Sequence, residues 1–85
     1  MKQSEIAKKL EDAGFVLQPK KGIAIDPGSP TLRYARPGVR GSLYATDNYL
    51  SATGAYADLR EQVPQSRPDH QGYPVWQGAA LEAVL

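Results

Sequence analysis

Eight glycines and seven prolines among 85 residues set the terms on which this chain can fold. With so many punctuating residues, a good part of it is turn and loop, and regular elements fall in the apolar stretches between. No cysteine is present, so disulfides, thiolate metal sites and a cysteine nucleophile are all excluded. A chain this long buries roughly 60–65% of the surface its unfolded form exposes, which leaves a thin core. One domain spanning residues 1–85 is the expectation. The hydrophobic share of 41% and charged share of 22% lie in the globular range and argue against wholesale disorder.

The clearest element is a helix near 4–13. Ser4 reads as its N-cap, Glu5 suits the first turn, and Ile6, Leu10 and Ala13 share one face. Gly14 is the natural left-handed ending, with Phe15 placed to fold back against Leu10. Phe15–Gln18 and Ile23–Ile25 read as short strands, separated by the turn Pro19–Gly22, and Asp26–Pro30 is turn chemistry throughout. Thr31–Arg36 alternates, with Leu32 and Tyr34 on one face and Arg33 on the other. It leads through the loop Pro37–Gly41 into a further strand at Ser42–Thr46. Tyr49, Ala52, Tyr56, Leu59 and Val63 then recur at spacings of three and four, which predicts a helix over about 48–63 capped by Asp47 and ended by Pro64. Gly54 inside it costs ~1 kcal/mol relative to Ala, which makes a start at Thr53 the alternative. Pro64–Pro74 reads as an exposed loop, Val75–Gln77 as a segment rejoining the sheet, and Gly78–Leu85 as a short apolar helix. The expected architecture is therefore α+β: a small antiparallel sheet of three or four strands packed against two helices, in the order α-β-β-β-(β)-α, followed by a short C-terminal strand or helix.

Net charge is +1, but it is unevenly spread. Residues 1–40 carry eight Lys and Arg against four Asp and Glu, whereas residues 41–85 carry two against five. A basic face for an acidic partner is one outcome of that asymmetry, and a mixed surface is the other. No apolar run approaches the ~20 residues that cross a bilayer, and the opening Met1–Glu5 lacks a signal-like apolar stretch. A secreted domain of this size usually needs disulfides, so a soluble cytoplasmic protein is expected.

No arrangement of residues marks a catalytic site. His70 is the lone histidine, beside Asp69 in a loop, and has no second histidine with which to hold a metal. The carboxylate pairs Glu11–Asp12 and Asp58–Glu61 read as solvated helix surface. Ser42 and Ser51 lack a nucleophile-elbow setting, and the glycines match no phosphate-binding loop or dinucleotide fingerprint. No cofactor or metal is therefore expected. Candidate contact residues are of two kinds. Arg33, Arg36 and Arg40 flank a Pro-Gly hairpin tip, with Lys20 and Lys21 in another turn, a set suited to phosphates or an acidic protein surface. Tyr73 and Trp76 flank Pro74 beside an irregular segment, and both residue types are enriched at protein interfaces. For Trp76, closing one end of a thin core is the competing role.

The stretch Glu5–Leu17, with its helix-Gly-strand grammar, resembles the opening of small toxins that share the helix, three-strand, helix layout of double-stranded RNA-binding domains. Those toxins place a catalytic histidine on the strands after the first helix, where this chain has Ile23-Ala24-Ile25. No functional residue carries over. The expectation is a small non-catalytic binding protein, a regulator or inhibitor that occupies a protein partner's acidic surface, of a size that suits a phage or plasmid accessory gene. The alternative is a nucleic-acid-binding module using Lys20, Lys21 and the Arg33–Arg40 hairpin. The apolar C-terminal segment either docks on the sheet or pairs with a second copy in a homodimer.

Overall fold

A computed structural model describes residues 2–18, 31–46 and 48–85. The expected turns at 19–22 and 26–30, the expected strand at 23–25 and the Asp47 cap lie outside the described residues. Helix α1 (Gln3–Asp12) opens the chain, followed by strands β1 (Val16–Leu17), β2 (Leu32–Ala35), β3 (Leu43–Thr46) and β4 (Tyr49–Ala52). A 3-10 helix (Gly54–Glu61) precedes β5 (Arg67–Pro68), β6 (Pro74–Gln77) and the terminal helix α2 (Gly78–Val84). The six strands form one sheet in the order β1-β2-β3-β4-β6-β5, every described pair antiparallel. The α+β class stands, and the sheet is larger than the three or four strands expected.

Helix α1 ends as its sequence predicts and begins differently. Gly14 takes φ +93°, the Gly14 N–H donates to Glu11 O (3.0 Å) and the Phe15 N–H to Leu10 O (3.0 Å). That pair of bonds is a Schellman ending, in which the left-handed residue lets the chain reverse and satisfy the last carbonyls. At the other end the cap residue is Lys2, with no side-chain hydrogen bond. Ser4 lies inside the first turn and does not cap it.

The main correction concerns the segment after β3. A helix does not run over 48–63. Tyr49–Ala52 is a strand paired residue for residue with β3, from Leu43↔Ala52 to Thr46↔Tyr49, and only Gly54–Glu61 is helical, in the tighter 3-10 form with Thr53 at its N-cap, the later of the two starts expected. Two residues therefore link β3 to β4, and Asn48 takes φ 75°, the conformation such hairpin turns demand and Asn tolerates. Tyrosines at helical spacing mimic an amphipathic helix, but Leu50 and Ala52 alternate with Tyr49 and Ser51 at the strand period. Burying Leu50 and Ala52 completely outweighs the helical stripe. The expected helix-strand-strand-strand-helix order is broken at this point. Arg67–Pro68 likewise pairs with Val75 and Pro74, adding a short edge strand within the expected loop Pro64–Pro74. Val75–Gln77 joins the sheet and Gly78–Val84 is helical, as read.

Register sorts the side chains into two faces. Tyr34, Leu43 and Ala52 lie opposite one another, as do Leu32, Ala45, Leu50 and Trp76. These belong to one hydrophobic cluster with Ile6, Ala7 and Leu10 of α1, Tyr56 and Leu59 of the 3-10 helix, Val63, and Leu81 of α2. The C-terminal segment thus docks on its own sheet through Leu81, which is fully buried. Two buried polar groups are satisfied within this layer: the Trp76 Nε1–H donates to Val63 O at 2.9 Å and the Tyr34 hydroxyl to Glu11 Oε2 at 2.7 Å. Burial, then the bond to and the charge of Glu11, push the Tyr34 pKa up to about 12. Among the described residues, no helix is long and apolar enough to cross a membrane.

Past the end of β4 the backbone meets the loop before β3 without side chains between them. A Cβ on Gly41 would lie 2.2 Å from Thr53 O, and one on Gly54 would lie 2.6 Å from both Arg40 O and Gly41 Cα. Glycine at both positions allows that approach, and four hydrogen bonds close it. Thr53 N–H donates to Ser42 O (2.9 Å) and Ala55 N–H to Arg40 O (2.9 Å). Ser42 N–H donates to Thr53 Oγ1 (3.1 Å), which donates to Ser42 O (3.4 Å).

Two measurements check this packing. Gly41→Ala and Gly54→Ala each destabilise the fold by about 3 kcal/mol in urea unfolding, combining a strained φ with a backbone clash. Gly14→Ala, with positive φ but nothing within 4 Å of the added methyl, costs only about 1 kcal/mol. Equal losses at all three sites would contradict a close-approach constraint. For Tyr34, a folded pKa above the unfolded value means that the native state holds the extra proton at high pH. Its contribution is complete below pH 10 and is lost as pH rises from about 10 toward 12. The stability gap between wild type and Tyr34→Phe, about 1 kcal/mol at neutral pH, narrows over that window; a gap independent of pH would contradict the shifted titration.

Candidate functional site

The second face of the sheet carries a row that crosses five strands. Register places Arg33 opposite Tyr44, Tyr44 opposite Ser51, Ser51 opposite Val75, and Val75 opposite Arg67. Thr46, Tyr49 and Gln77 form a parallel second row. At the usual strand spacing the first row is roughly 19 Å long. Tyr44 and Tyr49 are diagonal neighbours across the hairpin, a separation that large side chains bridge. Arg33, Tyr44, Ser51, Tyr49 and Val75 are half-buried, while Arg67 and Gln77 are exposed. Both charged residues of these rows are arginines; neither row contains a carboxylate. Among the described residues the Arg33 Nε is buried without a hydrogen-bond partner, and Arg67 Nη2 donates to Gln77 Oε1 at 2.7 Å.

The three hairpin arginines do not converge. Arg33 is on this second face. Arg36, one loop-side step later, reaches the opposite layer: its guanidinium lies 4.2 Å from the Phe15 ring centroid and its Nη2 donates to Ala13 O at the end of α1. A cation there complements the helix C-terminus and the ring face together, and Phe15 in turn packs against Tyr56 with centroids 5.6 Å apart. Arg40 is exposed, with its carbonyl engaged by Ala55. Lys8 and Lys9 ride on α1, on the far side of the sheet from Arg33. Lys20 and Lys21 lie outside the described residues.

Trp76 is 0% exposed, so its indole packs the core and does not face a partner. Tyr73 is 37% exposed at the β5–β6 turn. Asp69 shapes that turn by accepting the Gln71 and Tyr73 N–H groups on Oδ1, at 2.8 and 2.9 Å. With its carboxylate committed to the backbone and His70 exposed beside it, the two are not arranged as a base and its orienting partner. Among the described residues, no group of three or more His, Asp or Glu is placed to hold a metal ion.

Sequence reasoning passed over Tyr44, Tyr49, Ser51, Val75 and Arg67, because the face they share exists only once β3, β4 and β6 pair. One signal pointed to it: Leu43-Tyr44-Ala45-Thr46 and Tyr49-Leu50-Ser51-Ala52 alternate in mirror fashion about two turn-forming residues. At the end of the face, Val75, Gln77 and Arg67 continue into a concavity of about 630 Å³ whose far wall is Ala79, Ala80 and Ala83 of α2.

No family model, curated protein or solved structure matches the chain.

The assignment of Arg36 to the α1–Phe15 contact is checked by Arg36→Ala. Loss of the carbonyl bond and the ring contact lowers unfolding free energy by about 1 kcal/mol. A change within error would show that the contact carries no stability.

Proposed function

We propose that this chain is a non-catalytic binding protein, a small regulator or inhibitor, whose contact surface is the second sheet face. The observation that carries this reading is the Arg33–Tyr44–Ser51–Val75–Arg67 row. Arg and Tyr are residue types that anchor protein interfaces, because each combines a large contact area with hydrogen-bonding capacity. Held on paired strands, they lose little conformational entropy on binding. Two arginines at the row's ends and no carboxylate within it favour a partner surface that is acidic at its rim. In this reading Arg33 keeps a contact role, while that of Arg36, Arg40, Tyr73 and Trp76 passes to residues on the sheet itself.

Nucleic acid is the second reading, supported by the same two tyrosines flanked by arginine on a sheet surface, a combination on which unpaired bases stack.

Capture on the immobilised chain from nuclease-treated lysate of the source organism separates the two. A protein partner recovered in stoichiometric amount falls about tenfold or more with Tyr44→Ala or Arg33→Glu and is unchanged with Lys8→Glu on the far side of the sheet. Thermal unfolding of each variant reports whether it is folded. Equal recovery with all variants would contradict the proposed surface, and a complex abolished by nuclease would transfer the surface to nucleic acid.

A further inference from the structure

We infer that the concavity between the β5–β6 edge and α2 receives an acidic, apolar-anchored peptide segment of a partner protein. This rests on the reading of the second sheet face as a contact surface and adds to it the place where a partner's chain is gripped. The concavity is continuous with that face, since Arg67 and Val75 end the row and also line the opening. Its floor is apolar and shallow. Val75, Ala79, Ala80 and Ala83 line it together, small side chains that leave space for a larger apolar one; about 630 Å³ is within the range of specific pockets.

The rim selects what enters. Gln65 and Gln77 also line the opening, and a side-chain amide can pair with both the N–H and the C=O of a peptide. Among the described residues that line the opening, Arg67 is the one that carries a charge, and it is exposed. One of its nitrogens is bonded to Gln77 Oε1, an arrangement that steadies the guanidinium, and its fork geometry matches a carboxylate. A lysine or arginine brought to the same place would meet a like charge. An apolar side chain against Val75 and the alanines, with a carboxylate near Arg67, complements this lining.

The probes are the blocked peptides acetyl-Leu-Leu-Glu-amide and acetyl-Leu-Leu-Lys-amide, titrated against the full chain labelled with 15N. The Glu peptide is expected to shift the amide signals of Gln65, Arg67, Val75, Gln77, Ala79 and Ala83, with a Kd on the order of 1 mM. The Lys peptide binds about tenfold more weakly. Arg67→Glu reverses that preference, and Ala83→Arg, which fills the opening from an exposed helix position, abolishes the shifts. Both variants lie on the surface, and their unfolding curves verify that they are folded. Tyr44→Ala, outside the concavity, leaves the peptide titration unchanged while lowering partner capture, so the two readings fail separately. Equal binding of the two peptides, an unaltered preference in Arg67→Glu, or shifts centred elsewhere would overturn the inference.

Discussion

The contact of Gly41 with Gly54 is the constraint on which the rest of the structure depends. Two backbones approach so closely there that neither has space for a methyl group, and the bonds from Thr53 and Ala55 to the Ser42 and Arg40 carbonyls close around them. The contact sits at the open end of the β3–β4 hairpin, opposite the two-residue turn. A hairpin of two four-residue strands is marginal by itself. Closing its far end with backbone hydrogen bonds extends the ladder beyond the strands and fixes where the 3-10 helix must start. Gly54 is thus a requirement of the fold, although in the interior of a helix over 48–63 it would be a cost.

From that hairpin both faces follow. β3 and β4 are central strands, and the alternation of their side chains sends Leu43, Ala45, Leu50 and Ala52 to one side and Tyr44, Thr46, Tyr49 and Ser51 to the other. The first set is buried, between 0% and 2% exposed, and supplies the middle of a thin core. Alanines at two of these four positions let Tyr34 and Trp76, the largest fully buried side chains, come in from the flanking strands. Both carry a polar atom into the core, and each has its partner, Glu11 or the Val63 carbonyl. Tyr44, Tyr49 and Ser51 of the second set, completed by Arg33, Val75 and Arg67, form the surface on which the proposed function rests; Thr46 is buried. A one-residue slip in register would exchange the two sets, so the fold and the proposed surface stand or fall together.

How much of this was legible in the sequence depended on whether the deciding interaction was local. Helix α1 and its Gly14 ending are local grammar, and they were readable to within a residue or two; so were β2, β3 and the Pro37-Gly38 turn between them. The α1 start was misread because Ser4 offers a capping hydroxyl that the chain does not use. The 48–63 segment was misread because Tyr49, Ala52, Tyr56, Leu59 and Val63 satisfy a helical period, while the evidence against a helix is non-local. It lies in the match of Leu50 to Ala45 and Trp76, and in the meeting of two glycines thirteen positions apart. The candidate contact residues show the same division. Trp76 and Arg36 carry the chemistry of binding residues, yet one fills the core and the other closes a helix end. Tyr44 and Arg67 gain their setting only from strands distant in sequence.

The most direct test is therefore the conformation of residues 48–63 in solution, read from backbone nuclear Overhauser contacts in the labelled full chain. Cross-strand contacts are expected between Tyr44 and Ser51, Ala45 and Leu50, and Leu50 and Trp76, with helix-type contacts confined to 54–61. An unbroken run of helical contacts from Asn48 to Val63, with no contact between Leu50 and Trp76, would contradict that pairing and dissolve the Arg–Tyr face along with the hairpin.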